Sequence, residues 1–385
     1  MKNAYNIYDL RELARRRVPK GLFEYVDRGT EDEVGLGHNI EALRRIKLLP
    51  RVMKDVSKRS LEVEVFGQKL AMPVIVSPTG SAAMLWYEGE KCLHLAANQA
   101  GIPFTMSGGA SVAMEQVVEQ IGRRAWFQIY LLKDESLSHK IVERAKAAKI
   151  EVLFVTSDSA VPPNREFNQR NGFTQPFRVT PGNVVDVLSH PSWFAQVVLR
   201  YMVSGGLPRY QNVPGDLRDK ITGKPARMEV TPALDWAMFD RLRKIWPGAL
   251  VVKGLMTAED AKLAADHGAD GVVVSNHGAR NLDSAPATIE MLPEVVDAVG
   301  HRLTVLWDGG VRRGSDVVKA LALGAKAVLS GRAPLYGTGA GGQVGAAKAL
   351  SILRNEIDLT LGFMGCTDIS KVDRSMVRLP KDMGA

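Results

Sequence analysis

Residues 304–330 read TVLWDGGVRRGSDVVKALALGAKAVLS, and this stretch decides the fold. Thr304–Asp308 is a short apolar run closed by an acid, the pattern of a strand buried on both faces. A glycine-rich turn follows, Asp308-Gly309-Gly310-Val311-Arg312-Arg313-Gly314. Ser315–Leu323 then has amphipathic helical spacing, Gly324 is placed as its C-cap, and Ala327–Ser330 is a second apolar run. Strand, loop, helix and strand in that order make one βαβ unit.

Working outward, the same unit recurs. Apolar runs at Val74–Ser77, Phe104–Ser107, Trp126–Tyr130, Val152–Ser157, Leu250–Lys253 and Gly271–Ser275 bring the total to eight. Helical stretches such as Ser136–Ala148 and Ala258–His267 lie between them, with Gly101 and Gly268 as further caps. Eight alternations predict an α/β fold with a closed (β/α)8 TIM barrel rather than an open sheet. A single domain is expected over residues 1–385, with the barrel at 73–364. Residues 1–72 form an N-terminal extension, with helical segments at Tyr8–Arg17 and Gly21–Arg28 and a β-like run at Leu61–Phe66. The gap from Ser159 to Ala249, after strand four, is too long for a simple βα unit and predicts an insertion at about 174–230. The last 20 residues read as a tail.

A length of 385 residues fits one large barrel with additions. The net charge of +8 suits an acidic substrate, a phosphate-bearing cofactor or an anionic membrane surface. No basic stripe interleaves with aromatic residues, which argues against nucleic acid as a partner. Cys92 and Cys366 make neither a disulfide framework nor a metal cage, so reduced thiols and no metal are expected. The opening MKNAYNIYDL lacks the apolar core of a signal peptide, and no run of about 18 apolar residues occurs. A cytoplasmic location is the expectation.

The polar residues at the ends of the eight runs carry the chemistry. They are Pro78-Thr79, Ser107, Gln128 with Tyr130, Thr156 with Asp158, Lys253, His277 with Arg280, Asp308, and Gly331-Arg332. Barrel enzymes build their active sites at this face, where the loops converge. In Ser275-Asn276-His277-Gly278-Ala279-Arg280-Asn281-Leu282-Asp283, an imidazole suited to removing a proton stands three residues from a guanidinium suited to clamping a carboxylate. Asp158 is placed to orient His277. Gly309 and Gly310 let the backbone approach a phosphate, with helix amides and Arg312 supplying positive potential; Gly331-Arg332 adds a second donor set. Gly337, Gly339 and Gly342 also match GxGxxG, but Pro334 separates them from the strand and no new βαβ unit follows. They read as a glycine-rich entry to the last helix.

These blocks resemble the FMN-dependent 2-hydroxy-acid dehydrogenase/oxidase family over nearly the whole chain. The likeness runs from VPKGLFEYVDRG through SPTG, WFQIY, VKGLMTAEDA, SNHGARNLD and DGGVRRGSDVVKALALGA to SGRAPLYG. The resemblance implies a barrel binding FMN non-covalently, commonly as a homotetramer. It implies that Tyr25 and Tyr130 hydrogen-bond the substrate, that Arg280 clamps its carboxylate with help from Arg165, and that His277 is the base with Asp158 its partner. Pro78, Thr79, Gly80, Ser107, Gln128, Thr156 and Ser275 would surround the flavin. Lys253 would stand at its N1/O2 edge, while Asp308, Gly309, Gly310, Arg312, Gly331 and Arg332 would hold the ribityl phosphate.

Within the family, Gly80 of SPTG and Gly109 resemble the mandelate-oxidising branch; glycolate oxidases resemble SPTA and carry a tryptophan at the position of Gly109. The implied activity is oxidation of an (S)-2-hydroxy acid with a bulky or aromatic side chain, with electrons passed to a quinone-like acceptor. An L-lactate dehydrogenase or an O2-using oxidase are the alternatives, and a flavin-binding protein without such turnover is the alternative of another class. DSAVPPNRE, SHPSW and MEVTPALDW are similar to membrane-associated members, whose insertion contacts the membrane. Trp193–Met202 is apolar, and residues 190–228 carry six basic and two acidic side chains, which fits peripheral contact with an anionic surface on the cytoplasmic face of the inner membrane. Three departures, Pro162-Pro163, Trp307 and Asn281, are expected to touch the surroundings of substrate and flavin.

Overall fold

A computed structural model describes residues 3–174, 178–220 and 229–383, without the side chains of Asp216 and Asp382. Eight parallel strands form a closed barrel: β1 Val74–Val76, β2 Phe104–Ser107, β3 Ala125–Ile129, β4 Val152–Thr156, β5 Ala249–Leu255, β6 Gly271–Val274, β7 Thr304–Trp307 and β8 Ala327–Ser330. Each strand pairs with its neighbour in sequence, and β8 closes on β1 with Val328 opposite Val74 and Ser330 opposite Val76. Every run read from the sequence becomes a strand. Ser77, Ser157 and Asp308 lie just past the ladder of β1, β4 and β7; Ser77 and Asp308 line the mouth, while the Ser157 hydroxyl donates to the Lys253 carbonyl.

Alternation along the strands divides the core into two layers. Ile75, Trp126, Phe154, Val251, Val273, Leu306 and Leu329 fill the lumen. The opposite faces pack against the surrounding helices. The run read at 61–66 proves to be one arm of a hairpin, Val63–Val65 paired with Gln68–Leu70. Its tip stops the floor of the barrel: Phe66 meets Trp126 edge-on at 5.8 Å, and Gln68 accepts a hydrogen bond from the Trp126 indole.

The extension holds helices Ile7–Arg17 and Lys20–Asp27, within a residue or two of expectation, and a third, Val34–Arg45. Asn6 caps the first through a reciprocal box with Asp9. The long helix Arg332–Phe363 bends at Gly341 and Gly342, so the GxGxxG match lies at a kink and not in a dinucleotide loop. The expected tail is docked instead: Val377–Arg378 pairs antiparallel with Lys47–Leu48, and Ile369, Val372 and Val377 are buried. Three apolar residues spaced along the segment explain the difference.

The insertion carries helix Pro181–Leu188 and a helical stretch from Pro191 to Val203. Trp193, Val197 and Tyr201 recur every fourth residue and pack inward. The Trp193 indole donates to the Met84 carbonyl, and the Tyr201 hydroxyl accepts from the Glu88 amide. Residues 175–177 and 221–228, which belong to the predicted insertion, lie outside the described residues.

Candidate active site

The C-terminal ends of the strands open on a cavity of about 890 Å³. Pro78, Thr79, Gly80, Ser107, Gly109, Gln128, Tyr130, Thr156 and Lys253 line it from the first half of the barrel and β5. His277, Arg280, Asp308, Gly309, Gly310, Arg312, Gly331 and Arg332 line it from the last three strands, and Tyr25 and Arg165 reach it from the extension and from the loop after β4. Two residues from the sequence list do not line it. Asp158 stands behind His277, and Ser275, expected at the flavin, is wholly buried behind Lys253. The Ser275 hydroxyl accepts from Lys253 Nζ at 2.9 Å and from the His277 amide at 3.1 Å, so both its acceptor positions go to aiming those two groups.

His277 follows β6 at φ +57°, a left-handed conformation that non-glycine residues seldom adopt. Its Nδ1 lies 2.8 Å from Asp158 Oδ1. This contact assigns the proton to Nδ1 and leaves Nε2 as an acceptor. Burial pushes the imidazole below its ordinary pKa, against the opposing pull of Asp158. Burial would raise the Asp158 carboxyl, yet the charge and hydrogen bond of His277, with Lys253 behind, bring it down to about 2. The pair is therefore a neutral base beside a fixed anion.

The approach of Asp158 depends on Gly254. This glycine sits in β5 at φ +109°, where the register shifts, and a Cβ there would lie 2.6 Å from Asp158 Cβ. Gly254→Ala is expected to cost about 1–3 kcal/mol in backbone strain and to displace Asp158. A lowered unfolding midpoint together with a lowered kcat would be the observed result. Sequence reading passed over this glycine, although its place directly after Lys253 was a usable signal.

The loop that bears His277 also carries an anion clamp. Arg280 Nη1 donates to the carbonyls of Tyr25 at 2.6 Å and Arg28 at 3.1 Å, which belong to the C-terminal end of helix Lys20–Asp27. Helix C-terminal carbonyls hold a cation well, and they leave no carboxylate in the way of a substrate. Burial, reinforced by Arg165, brings Arg280 down to about 9. Burial would raise the Tyr25 phenol, but the charges of Arg280 and Arg165 outweigh it and pull it down. Burial and the Asp158 charge send Tyr130 the other way, to about 12, so it remains a donor. Asn281 ties the two sides together: its Nδ2 donates to the Asp158 carbonyl at 2.6 Å, and its Oδ1 accepts from Arg165 at 3.4 Å.

Beside the His277–Asp158 pair, Lys253 Nζ lies 3.2 Å from Asp308 Oδ2. Asp308 and Asp158 keep this buried ammonium charged although desolvation opposes it. The expected phosphate role of Asp308 is corrected by this geometry. A carboxylate facing Lys253 would repel a phosphate, while its buried Oδ1, without a partner among the described residues, suits a hydroxyl donor. The expected helix amides are also taken: Asp316 caps the amides of Arg312 and Arg313, and Glu356 accepts from Gly314. The amides of Gly309 and Gly310 instead carry no hydrogen bond among the described residues. Gly309 is at φ +127°, and a Cβ there would lie 2.1 Å from Thr288 Oγ1.

Of the three departures, Pro162, Pro163 and Asn281 line the cavity, but Trp307 does not. Strand alternation turns its indole outward into the packing between barrel and helices while Asp308 faces the mouth. Beside Gly109, sequence reading missed Tyr210 of the insertion, whose ring would be 3.7 Å from a Cβ at that glycine.

The donor set fits FMN. Gln128 Nε2 bonds Thr156 Oγ1 at 2.9 Å beside the lysine, an array for the polar edge of a flat ring. The unsatisfied Asp308 oxygen suits a polyhydroxyl chain, and two glycine amides with Arg312 and Arg332 suit a phosphate. Barrel, phosphate end, buried cation, base and anion clamp together define a cofactor-dependent oxidoreductase acting on an organic acid. The chain belongs to the FMN-dependent dehydrogenase family, whose model matches residues 14–379. It is an FMN-dependent 2-hydroxy-acid dehydrogenase.

Among curated relatives it is 38% identical to (S)-mandelate dehydrogenase of Pseudomonas putida, covering 96% of this chain and 93% of that one. It is 39% identical to L-lactate dehydrogenase of Azorhizobium caulinodans, covering 97% and 98% respectively. The crystal structure of the monotopic membrane protein (S)-mandelate dehydrogenase superposes with a TM-score of 0.90 at 37% identity, covering 98% of this chain and 100% of that one.

Proposed function

We propose that this enzyme oxidises an (S)-2-hydroxy acid with a bulky or aromatic side chain, of the mandelate type, to the 2-oxo acid and passes the electrons to a quinone-like acceptor. The observation that carries this reading is that His277, backed by Asp158, and the Arg280, Arg165 and Tyr25 anion clamp line one cavity. Arg280 and Arg165 orient the carboxylate, and the Tyr25 and Tyr130 hydroxyls fix the oxygens at the reacting end. His277 Nε2 takes the proton released as the hydroxyl-bearing carbon is oxidised, and Asp158 stabilises the imidazolium that forms. Bound FMN supplies the two-electron acceptor. Lys253 is the buried cation available to the charge that develops there. Substrate size is set by Gly109, which adds no side chain, and by Tyr210, Val161 and Pro162 around the same cavity.

Comparing kcat/KM for (S)-mandelate and L-lactate tests the substrate: preference for mandelate is expected, and preference for lactate favours the second reading, which the L-lactate dehydrogenase relative supports. Rapid reoxidation of the reduced enzyme by O2 would overturn the quinone-like acceptor. The base also sets a pH dependence. Activity is full where His277 is neutral and falls as pH drops through its folded pKa, which burial places below the ordinary histidine value. The acid limb of kcat/KM against pH is therefore expected below about 6.5.

Peripheral membrane contact and a homotetramer belong to the same proposal. No helix of the described residues is long and apolar enough to cross a membrane. Supporting surface contact, the inward stripe of Trp193, Val197 and Tyr201 leaves Leu199, Met202 and Val203 exposed, and Val185 and Leu188 on the preceding helix are exposed too. Arg200, Arg209, Arg218 and Lys220 give this region its positive charge. Co-sedimentation with anionic vesicles at low salt, lost with neutral vesicles, is the expected result.

A further inference from the structure

The two guanidiniums at the phosphate end are held from behind by the N-terminal extension. Arg312 hydrogen-bonds within its own loop, to the Val311 carbonyl, and otherwise lies over the Tyr336 ring at 5.6 Å. Tyr336 is fully buried, and its hydroxyl donates to Asp27 Oδ1 at 2.7 Å. Asp27 in turn accepts a two-pronged ion pair from Arg11, at 2.6 and 2.5 Å. Arg332 is held partly by the residues flanking Asp27: it donates to the Val26 carbonyl at 3.0 Å and the Arg28 carbonyl at 3.0 Å, and its third bond goes to the Gly278 carbonyl at 2.9 Å.

We infer that the chain Arg11–Asp27–Tyr336 is a positioning device for Arg312 and Arg332, so that the first two helices help set the affinity for the cofactor's phosphate. The inference rests on the FMN-phosphate reading of this end of the cavity. The physical argument is preorganisation. A long guanidinium side chain loses rotamer freedom when it grips an anion, and a scaffold that has already fixed it removes that cost from binding. Arg11 neutralises Asp27, so the carboxylate anchors Tyr336 without adding net repulsion toward a phosphate. Neither Asp27 nor Tyr336 lines the cavity, so both act through the arginines.

The test compares FMN with riboflavin, which has the same ring and ribityl chain but no phosphate. Dissociation constants are read from quenching of flavin fluorescence on reconstitution of the apoprotein. Tyr336→Phe removes one oxygen and keeps the ring against Phe23 and Arg312. Loss of one buried hydrogen bond to a charged group is expected to weaken FMN by roughly tenfold and leave riboflavin unchanged. Asp27→Asn, as a second variant, is expected to give the same signature. Equal weakening of both flavins, or unchanged FMN affinity in both variants, overturns the inference. Wild-type protein that binds riboflavin as tightly as FMN would instead sink the phosphate reading itself.

Discussion

Replacing His277 by Asn is expected to leave FMN binding intact and to cut turnover by about 10²–10⁴-fold, the usual contribution of a positioned base. Asparagine tolerates the left-handed backbone at this position better than most residues, so the loop should keep its shape. Its amide can still face Asp158, but it offers no nitrogen lone pair to the substrate. The flavin spectrum of the purified variant should match wild type, while anaerobic reduction by hydroxy acid slows. Near-normal reduction rates would remove His277 from the role of base.

Arg280→Leu is expected to be nearly as damaging, by a different route. Leucine is of similar apolar bulk to the arginine stem, but it leaves the substrate carboxylate without its main partner in a buried site. Breaking a buried charge pair costs about 3–5 kcal/mol, or roughly 10²–10⁴-fold in kcat/KM. Because Arg280 also ties down the Tyr25 and Arg28 carbonyls, KM and kcat should both worsen. The check is steady-state kinetics with the hydroxy acid and with its neutral amide. The variant should lose its preference for the acid, and a retained preference would mean that Arg165 carries the clamp alone.

Much of the barrel was legible because buried parallel strands write themselves as unbroken apolar runs, each ending in a polar residue at the mouth. Val152–Thr156 and Gly271–Val274 are of this kind. The base and clamp were legible for the same reason, since His277 and Arg280 follow a strand end directly. Other features depend on distances across the fold that no local pattern encodes. Gly254 matters only because Asp158 of another strand approaches it, and Tyr210 matters only because the insertion folds back over Gly109. Likewise DGGVRRG reads as a loop offering helix amides until Asp316 is seen to occupy them. The docked C-terminal segment was missed because its partner strand, Lys47–Leu48, is two residues long and far away in sequence.

The hairpin whose tip bears Phe66 has a kinetic consequence. Among the described residues the floor is stopped and the lumen is filled by Trp126 and Phe154, so the cavity opens at the C-terminal mouth of the barrel. On the proposed function, keto acid and electron acceptor would compete for this mouth, and the two half-reactions would take turns. Initial-rate plots at several acceptor concentrations should therefore run as parallel lines, the signature of a ping-pong cycle.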